Sequence, residues 1–359
     1  MSPLTSLQGT GGYRSDTAVS QNQNFVTHPS TIKMGEFITS ESGTGTWTVP
    51  DGVTWASFIV IGGGGGGATY ADIGEHAGCG GGGGGLSYSS QIMVAAGQQF
   101  PYSVGEYGPS HPSGAGEDGG DTWIKDTEDS TIVEAEGGEG GDYNSGPSSG
   151  NGGPTGGRGG NGYPASGYAC IGGGRGGVGG ANNPSSPLSY GGGGGGTGGY
   201  GTSPNSSYNG RGGNGGRSYF SGSSFIHVDG TNGSEGAGGG GAASDGGGGT
   251  GLYCQGTDGE GGDGAPGSVG EGEGGSPSAV ITETAYDGTP PDGLGTQPVE
   301  DGGGEDGSYP KRGGEFGGGG AGGWGSPPNF VGGNGGEGAL RIVYGCGVKF
   351  PDNAKGKYS

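Results

Sequence analysis

Reactive side chains in this sequence stand almost everywhere at spacings that do no chemistry. His76 and Cys79 form a lone HxxC, and no second pair completes a tetrahedral metal site. The four cysteines, Cys79, Cys170, Cys254 and Cys346, lie 84 to 92 residues apart, which matches no zinc pattern, and their pairing cannot be read from spacing. His28, His111 and His227 are far from one another. The densest carboxylate group is Asp118, Asp121, Asp126, Glu128 and Asp129. It has neither the ligand spacing of an EF-hand loop nor a GGxGxDxUx calcium repeat, and reads as a solvated face. Residues 57–67 (SFIVIGGGGGG) imitate the strand and glycine turn of a dinucleotide site, but Ala68-Thr69-Tyr70 and a second glycine run follow where a helix is required. No glycine run leads into lysine, and no serine sits in a GxSxG elbow. The expectation is no catalytic residue, no cofactor and no metal: a protein that is not an enzyme.

The elements that would carry any site are unusual. Of 359 residues, 110 are glycine and only 26% are hydrophobic, so a large apolar core is out of reach. Glycine loses the most backbone entropy on ordering, so an ordered chain of this kind must be held by dense backbone hydrogen bonding. The net charge of −22 and thirteen scattered basic residues offer no patch to neutralise phosphates, which argues against nucleic acid. Residues 1–30 hold no apolar stretch of signal-peptide length and no segment reaches a membrane span, so the expectation is a protein made in a cytoplasm, without membrane insertion.

Four regions follow from the pattern. Residues 1–43 are polar and read as an extended arm for attachment or subunit contact, with 21–27 (QNQNFVT) and 32–39 (IKMGEFIT) as extended segments and Asn24, Phe25, Val26, Ile32 and Phe37 as contact candidates. Residues 44–136 form a β-rich part with the first glycine runs. Here 46–50 and 53–61 read as a hairpin or two sheet strands, 86–95 as a strand, and 100–104 as a strand that Pro101 confines to an edge or end. A further pair, 122–125 and 131–135, is joined by the acidic turn 126–129. Residues 137–338 are glycine-rich with islands at 218–228 and 278–286. Residues 339–359 hold a closing strand, 339–344 (ALRIVY), and a tail. Nothing supports an α-helix.

The glycines are periodic. Arg211-Gly-Gly-Asn214-Gly-Gly-Arg217 repeats every three residues, as do the runs from Val331 to Glu337 and from Arg175 to Ala181. An extended left-handed helix has three residues per turn, so an X-Gly-Gly repeat puts every side chain on one edge and leaves two edges of bare backbone. Bare edges let such helices approach and exchange N–H···O=C bonds. Collagen is excluded because two residues in three are glycine here. The expected fold is therefore a small antiparallel β part joined to a bundle of packed left-handed polyglycine II helices.

Residues 46–50 (TWTVP), Gly52-Val53-Thr54, the strand at 56–61, the glycine run, residues 87–104 (SYSSQIMVAAGQQFPYSV) and the closing 335–344 (GGEGALRIVY) resemble the glycine-rich domain of bacteriophage tail fibres and tail-tip adhesins. The likeness covers about residues 44–345 and leaves out the short arm. It implies a polyglycine II sandwich whose loops between runs contact receptors on the host surface. Carried onto this chain, those loops are 107–111, 182–190, 200–208 and 326–330, with Tyr107, His111, Asn182, Tyr190, Tyr200, Tyr208, Asn329 and Phe330 as contact candidates. The implied function is a structural virion protein of a tail fibre or tail tip, whose partners are other virion or fibre subunits and a host-surface protein or glycan. The alternative is a self-assembling subunit of an extracellular glycine-rich filament, linked through its N-terminal arm.

Overall fold

The computed structural model describes residues 34–69, 78–142, 313, 316–320 and 332–345, together with the backbone of strands at 162–164, 171–174, 217–221 and 224–228. The described residues form β-structure and extended glycine segments, with no helix among them. Strands β1 (Gly35–Thr39), β2 (Gly43–Thr48), β3 (Trp55–Ile61), β4 (Leu86–Met93), β5 (Gln99–Val104), β6 (Thr122–Lys125), β7 (Thr131–Ala135), β8 (Gly162–Pro164), β9 (Ile171–Gly174), β10 (Arg217–Ser221), β11 (Ser224–Val228) and β12 (Ala339–Tyr344) make two five-stranded antiparallel sheets and a hairpin. The first sheet runs β1-β12-β3-β4-β9 and the second β2-β5-β6-β7-β8, with β10 and β11 paired alone.

The topology decides between alternatives left open. β2 and β3 are two sheet strands and not a hairpin: β2 pairs β5 in one sheet, whereas β3 lies between β12 and β4 in the other. Trp47 and Phe58 then meet across the sheets, edge to face at 6.1 Å. β5 is not an edge strand either, because β2 and β6 flank it. Its pairing to β6 takes in Tyr102 and Ser103, so the missing N–H of Pro101 falls outside that ladder. The last segment of the arm, β1, pairs with β12 of its own chain, and Phe37 packs on the core with its ring 5.8 Å from Tyr102.

The sheets close on a compact aromatic and β-branched core. Trp47, Phe58 and Phe100 lie within 6.1 Å of one another, ringed by Val60, Val104, Ile124, Val133, Leu340 and Ile342. β3 reads WASFIVI without alternation because its other face is also covered: Ile59 and Ile61 join Leu86, Tyr88, Ala339 and Val343 in a second apolar cluster. Arg341 is fully buried on β12, and its guanidinium bonds Glu36 on β1 at 3.3 Å, which ties the first described strand to the last.

Strands leave this sandwich directly as glycine segments. Segment 62–69 continues β3, 78–85 leads into β4, and 332–338 leads into β12. From the second sheet, 105–109 continues β5, 114–120 leads into β6, and 136–142 continues β7. Segment 62–69 lies at the centre. Its successive N–H groups turn to three neighbours in rotation: 62, 65 and 68 donate to the carbonyls of 85, 82 and 79, while 63, 66 and 69 donate to 120, 117 and 114. The third neighbour accepts from 64 and 67 through 336 and 333. Its carbonyls in turn accept from three others: 63 and 66 from 138 and 141, 64 from 108, and 65 from 320. The outer segments also bond one another around the ring, 78–85 to 136–142 and 317–320, 114–120 to 136–142 and 105–109, and 332–338 to 105–109 and 317–320. Glycine segments from residues 44–136 and from 137–338 thus share one arrangement.

Side chains are excluded from its centre by contact. A Cβ on Gly64 would overlap the Gly318 carbonyl, and one on Gly65 the Glu139 carbonyl. Where the segments do carry side chains, these recur at period three on the outside, as in Glu136, Glu139 and Asp142, or Asn334 and Glu337. Gly64→Ala should destabilise the protein by about 1–3 kcal/mol through overpacking, with a correspondingly lower thermal midpoint. A variant that melts with the wild type would contradict this close approach.

Candidate functional site

One end of the glycine arrangement, remote from the sandwich, presents a loop fixed by polar side chains. It spans 109–114, between segments 105–109 and 114–120. Two glycine-segment residues hold it from outside. Thr69, buried at the end of the central segment, donates its hydroxyl to the His111 carbonyl and accepts from the Gly332 amide at 2.8 Å. Thr69 and Gly114 also exchange backbone bonds, each 2.8 Å. Asn334 Oδ1 accepts from both the amide and the hydroxyl of Ser110, at 2.8 and 3.0 Å. The loop closes on itself through Glu117 N–H to the Pro109 carbonyl and through His111 Nε2 to Glu117 Oε1 at 2.6 Å. The Ser110 and Gly114 amides and the Pro109, His111 and Gly114 carbonyls are thereby partnered, while His111 and Glu117 stand about half exposed beside exposed Pro112 and Ser113.

Of the contact candidates, Tyr107 and His111 lie on or beside this loop. Asn182, Tyr190, Tyr200, Tyr208, Asn329 and Phe330 lie outside the described residues, as do Asn24, Phe25, Val26 and Ile32. Phe37 belongs to β1 and packs within its own chain. Thr69 and Asn334 escaped sequence reasoning as loop-fixing residues. Asn334 could have been found, because it occupies the X position of an X-Gly-Gly repeat, where the side chain must point off the bundle. Cys79 is buried, and its amide donates to Asp142; His76 and the other cysteines lie outside the described residues.

At the opposite end of the sandwich Met34, Trp55 and Met93, the three exposed large apolar side chains among the described residues, fall on one row. Trp55 is paired with Met93, its carbonyl accepts from Gly345, and Met34 immediately precedes the Gly35–Tyr344 pair. The acidic group does structural work. Asp126 accepts from the amides of Glu128 and Ser130 in the β6–β7 turn, Asp129 pairs with Lys125 at 3.0 Å, and Asp118 and Asp121 bond glycine amides.

A family model described as a glycine-rich domain matches residues 39–271. That stretch takes in every described strand except β1, whose first residues precede it, and β12, which completes the first sheet from the far end of the sequence. No curated protein matches the chain.

The strongest electrostatic perturbation among the described residues is on β7. Burial, together with nearby Asp121 and Glu136, raises the Glu134 carboxyl above its ordinary value, and Lys125 offsets part of the rise. The native state therefore holds this proton more tightly than the unfolded chain, so stability is lost as pH rises from the ordinary carboxylate range through the raised value. Glu134→Gln should melt higher than wild type at neutral pH, and the gap should close on acidification. Thermal scans against pH check this; a gap that widens towards low pH contradicts it.

Proposed function

The chain belongs to the glycine-rich domain family, and from that premise we propose that it is a structural virion protein of a bacteriophage tail fibre or tail tip. In this reading its glycine segments are packed polyglycine II helices, and the loops between them meet a protein or glycan on the host surface. The three-residue rotation of donors around segment 62–69 supports the helix type, since an extended helix with three residues per turn sends successive peptide groups in three directions. One observation carries the recognition role. Loop 109–114 is pinned by Thr69 and Asn334 so that the Ser110 and Gly114 amides and the His111 carbonyl are already partnered while His111, Pro112 and Ser113 face outward. A loop ordered before contact loses little entropy on binding, which favours a recognition surface. The exposed row of Met34, Trp55 and Met93 at the other pole, next to the start of β1, suits the end that joins fibre or virion subunits. Neither catalysis nor a cofactor enters this reading, and the protein's place is the virion.

Purified protein should occupy host receptors and slow adsorption of the virions that carry it. A double variant, Tyr107→Ala with His111→Ala, should lose this competition while keeping the wild-type circular dichroism spectrum and melting temperature. If saturating wild-type protein leaves adsorption unchanged, the recognition role is wrong. Ordered filaments of the purified chain that disappear on deletion of residues 1–33 would instead establish the filament subunit.

A further inference from the structure

Inside the glycine arrangement, donors three residues apart on one segment are taken by backbone carbonyls three residues apart on the next. Segment 136–142 follows this rule on one side, where Gly138 and Gly141 donate to the carbonyls of Gly63 and Gly66. On its outer side the partners change in kind. Gly137 donates to Asp121 Oδ1 at 2.9 Å and Gly140 to Asp118 Oδ1 at 2.7 Å. Both aspartates are exposed and stand three residues apart, Asp118 within the neighbouring segment 114–120 and Asp121 between that segment and β6, so their carboxylates fold over the groove between the two segments. The row 137/140 has the same spacing as the row 62/65/68 that holds segment 78–85 in antiparallel register. A further glycine segment arriving here would find matching donors, and it would find them occupied.

We infer that Asp118 and Asp121 close a growing edge of the glycine arrangement, and that the groove beneath them is a latent interface for a glycine segment of a second copy of this chain. A carboxylate accepts an N–H more strongly than a peptide carbonyl does, so an incoming segment cannot displace it at equal geometry. Glu136 and exposed Glu139 flank the same groove with the same sign, and a second copy of net charge −22 brings more. The device corresponds to the charged side chains that blunt open edges of β-sheets. It goes beyond host recognition: whatever the loops bind, the bundle is kept from adding copies of itself along this side.

Sedimentation velocity on the full chain over a concentration series separates the alternatives. Asp118→Gly with Asp121→Gly frees both donors and should shift the protein to dimers and larger species as concentration rises. Asp118→Asn with Asp121→Asn removes the charge but keeps an amide oxygen, a weaker acceptor, for each donor, and should associate less than the glycine variant at every concentration. Circular dichroism verifies that each variant is folded, and the single glycine variants, each freeing one donor, should associate more weakly in the same order. A folded double glycine variant that sediments as wild type overturns the inference. So does an asparagine variant that associates as strongly as the glycine one, since charge alone would then be responsible.

Discussion

Everything in this protein depends on peptide groups of one glycine segment reaching those of the next with no Cβ between them. A side chain at Gly64 or Gly65 would occupy the place of a neighbouring carbonyl, so the bonds that hold the centre exist only because the side chain does not. Each such bond contributes about 1 kcal/mol net, comparable to the cost of ordering one residue's backbone. The margin per residue is therefore small, and glycine worsens it. The arrangement holds because the bonds are made together: segment 62–69 donates to three neighbours and accepts from three more. A single segment in water would have none of this.

The small apolar core sets where the segments begin. Two sheets packed on Trp47, Phe58 and Phe100 deliver β3, β4, β12, β5, β6 and β7 to one end of the sandwich, each joined without a break to a glycine segment. Facing sheets lie roughly 10 Å apart because side chains fill the space. Beyond residues such as Ile61, Val104, Thr122 and Ala135 side chains are carried on the outside, and the backbones bond one another directly. Thr122 marks the boundary: its buried hydroxyl accepts from the Gly105 amide, the first residue past β5. At the far end the glycines give way to Thr69, Ser110 and His111, and on the outer edges to acids at period three.

Strand identity was legible because it is local. The TWIK and TIVEA segments flank an Asp126 turn that bonds its own backbone, and β6 and β7 fall where the pattern puts them. ALRIVY is likewise β12. Sheet membership was not legible. Residues 46–50 and 53–61 read as a hairpin or as two sheet strands, and core formation across the sheets decides for the second; β12 enters the first sheet between β1 and β3 from nearly three hundred residues away. The three-residue period was visible in the sequence, and with it the edge that carries Asn334. What period cannot tell is which segment neighbours which, because all bare glycine edges are alike; the strands at their ends decide it. Thr69 gave no signal, since a threonine after a glycine run has the same appearance whether it closes a loop or ends a turn.

The central claim is that Gly62 to Gly67 are held by neighbours on every side. Residue-resolved amide hydrogen exchange tests it most directly, because each of these six amides has its own acceptor, on 85, 120, 336, 82, 117 and 333 in turn. The expected result is slow exchange at all six, comparable to that of β3. Exchange at the rate of an unstructured glycine linker would contradict the claim.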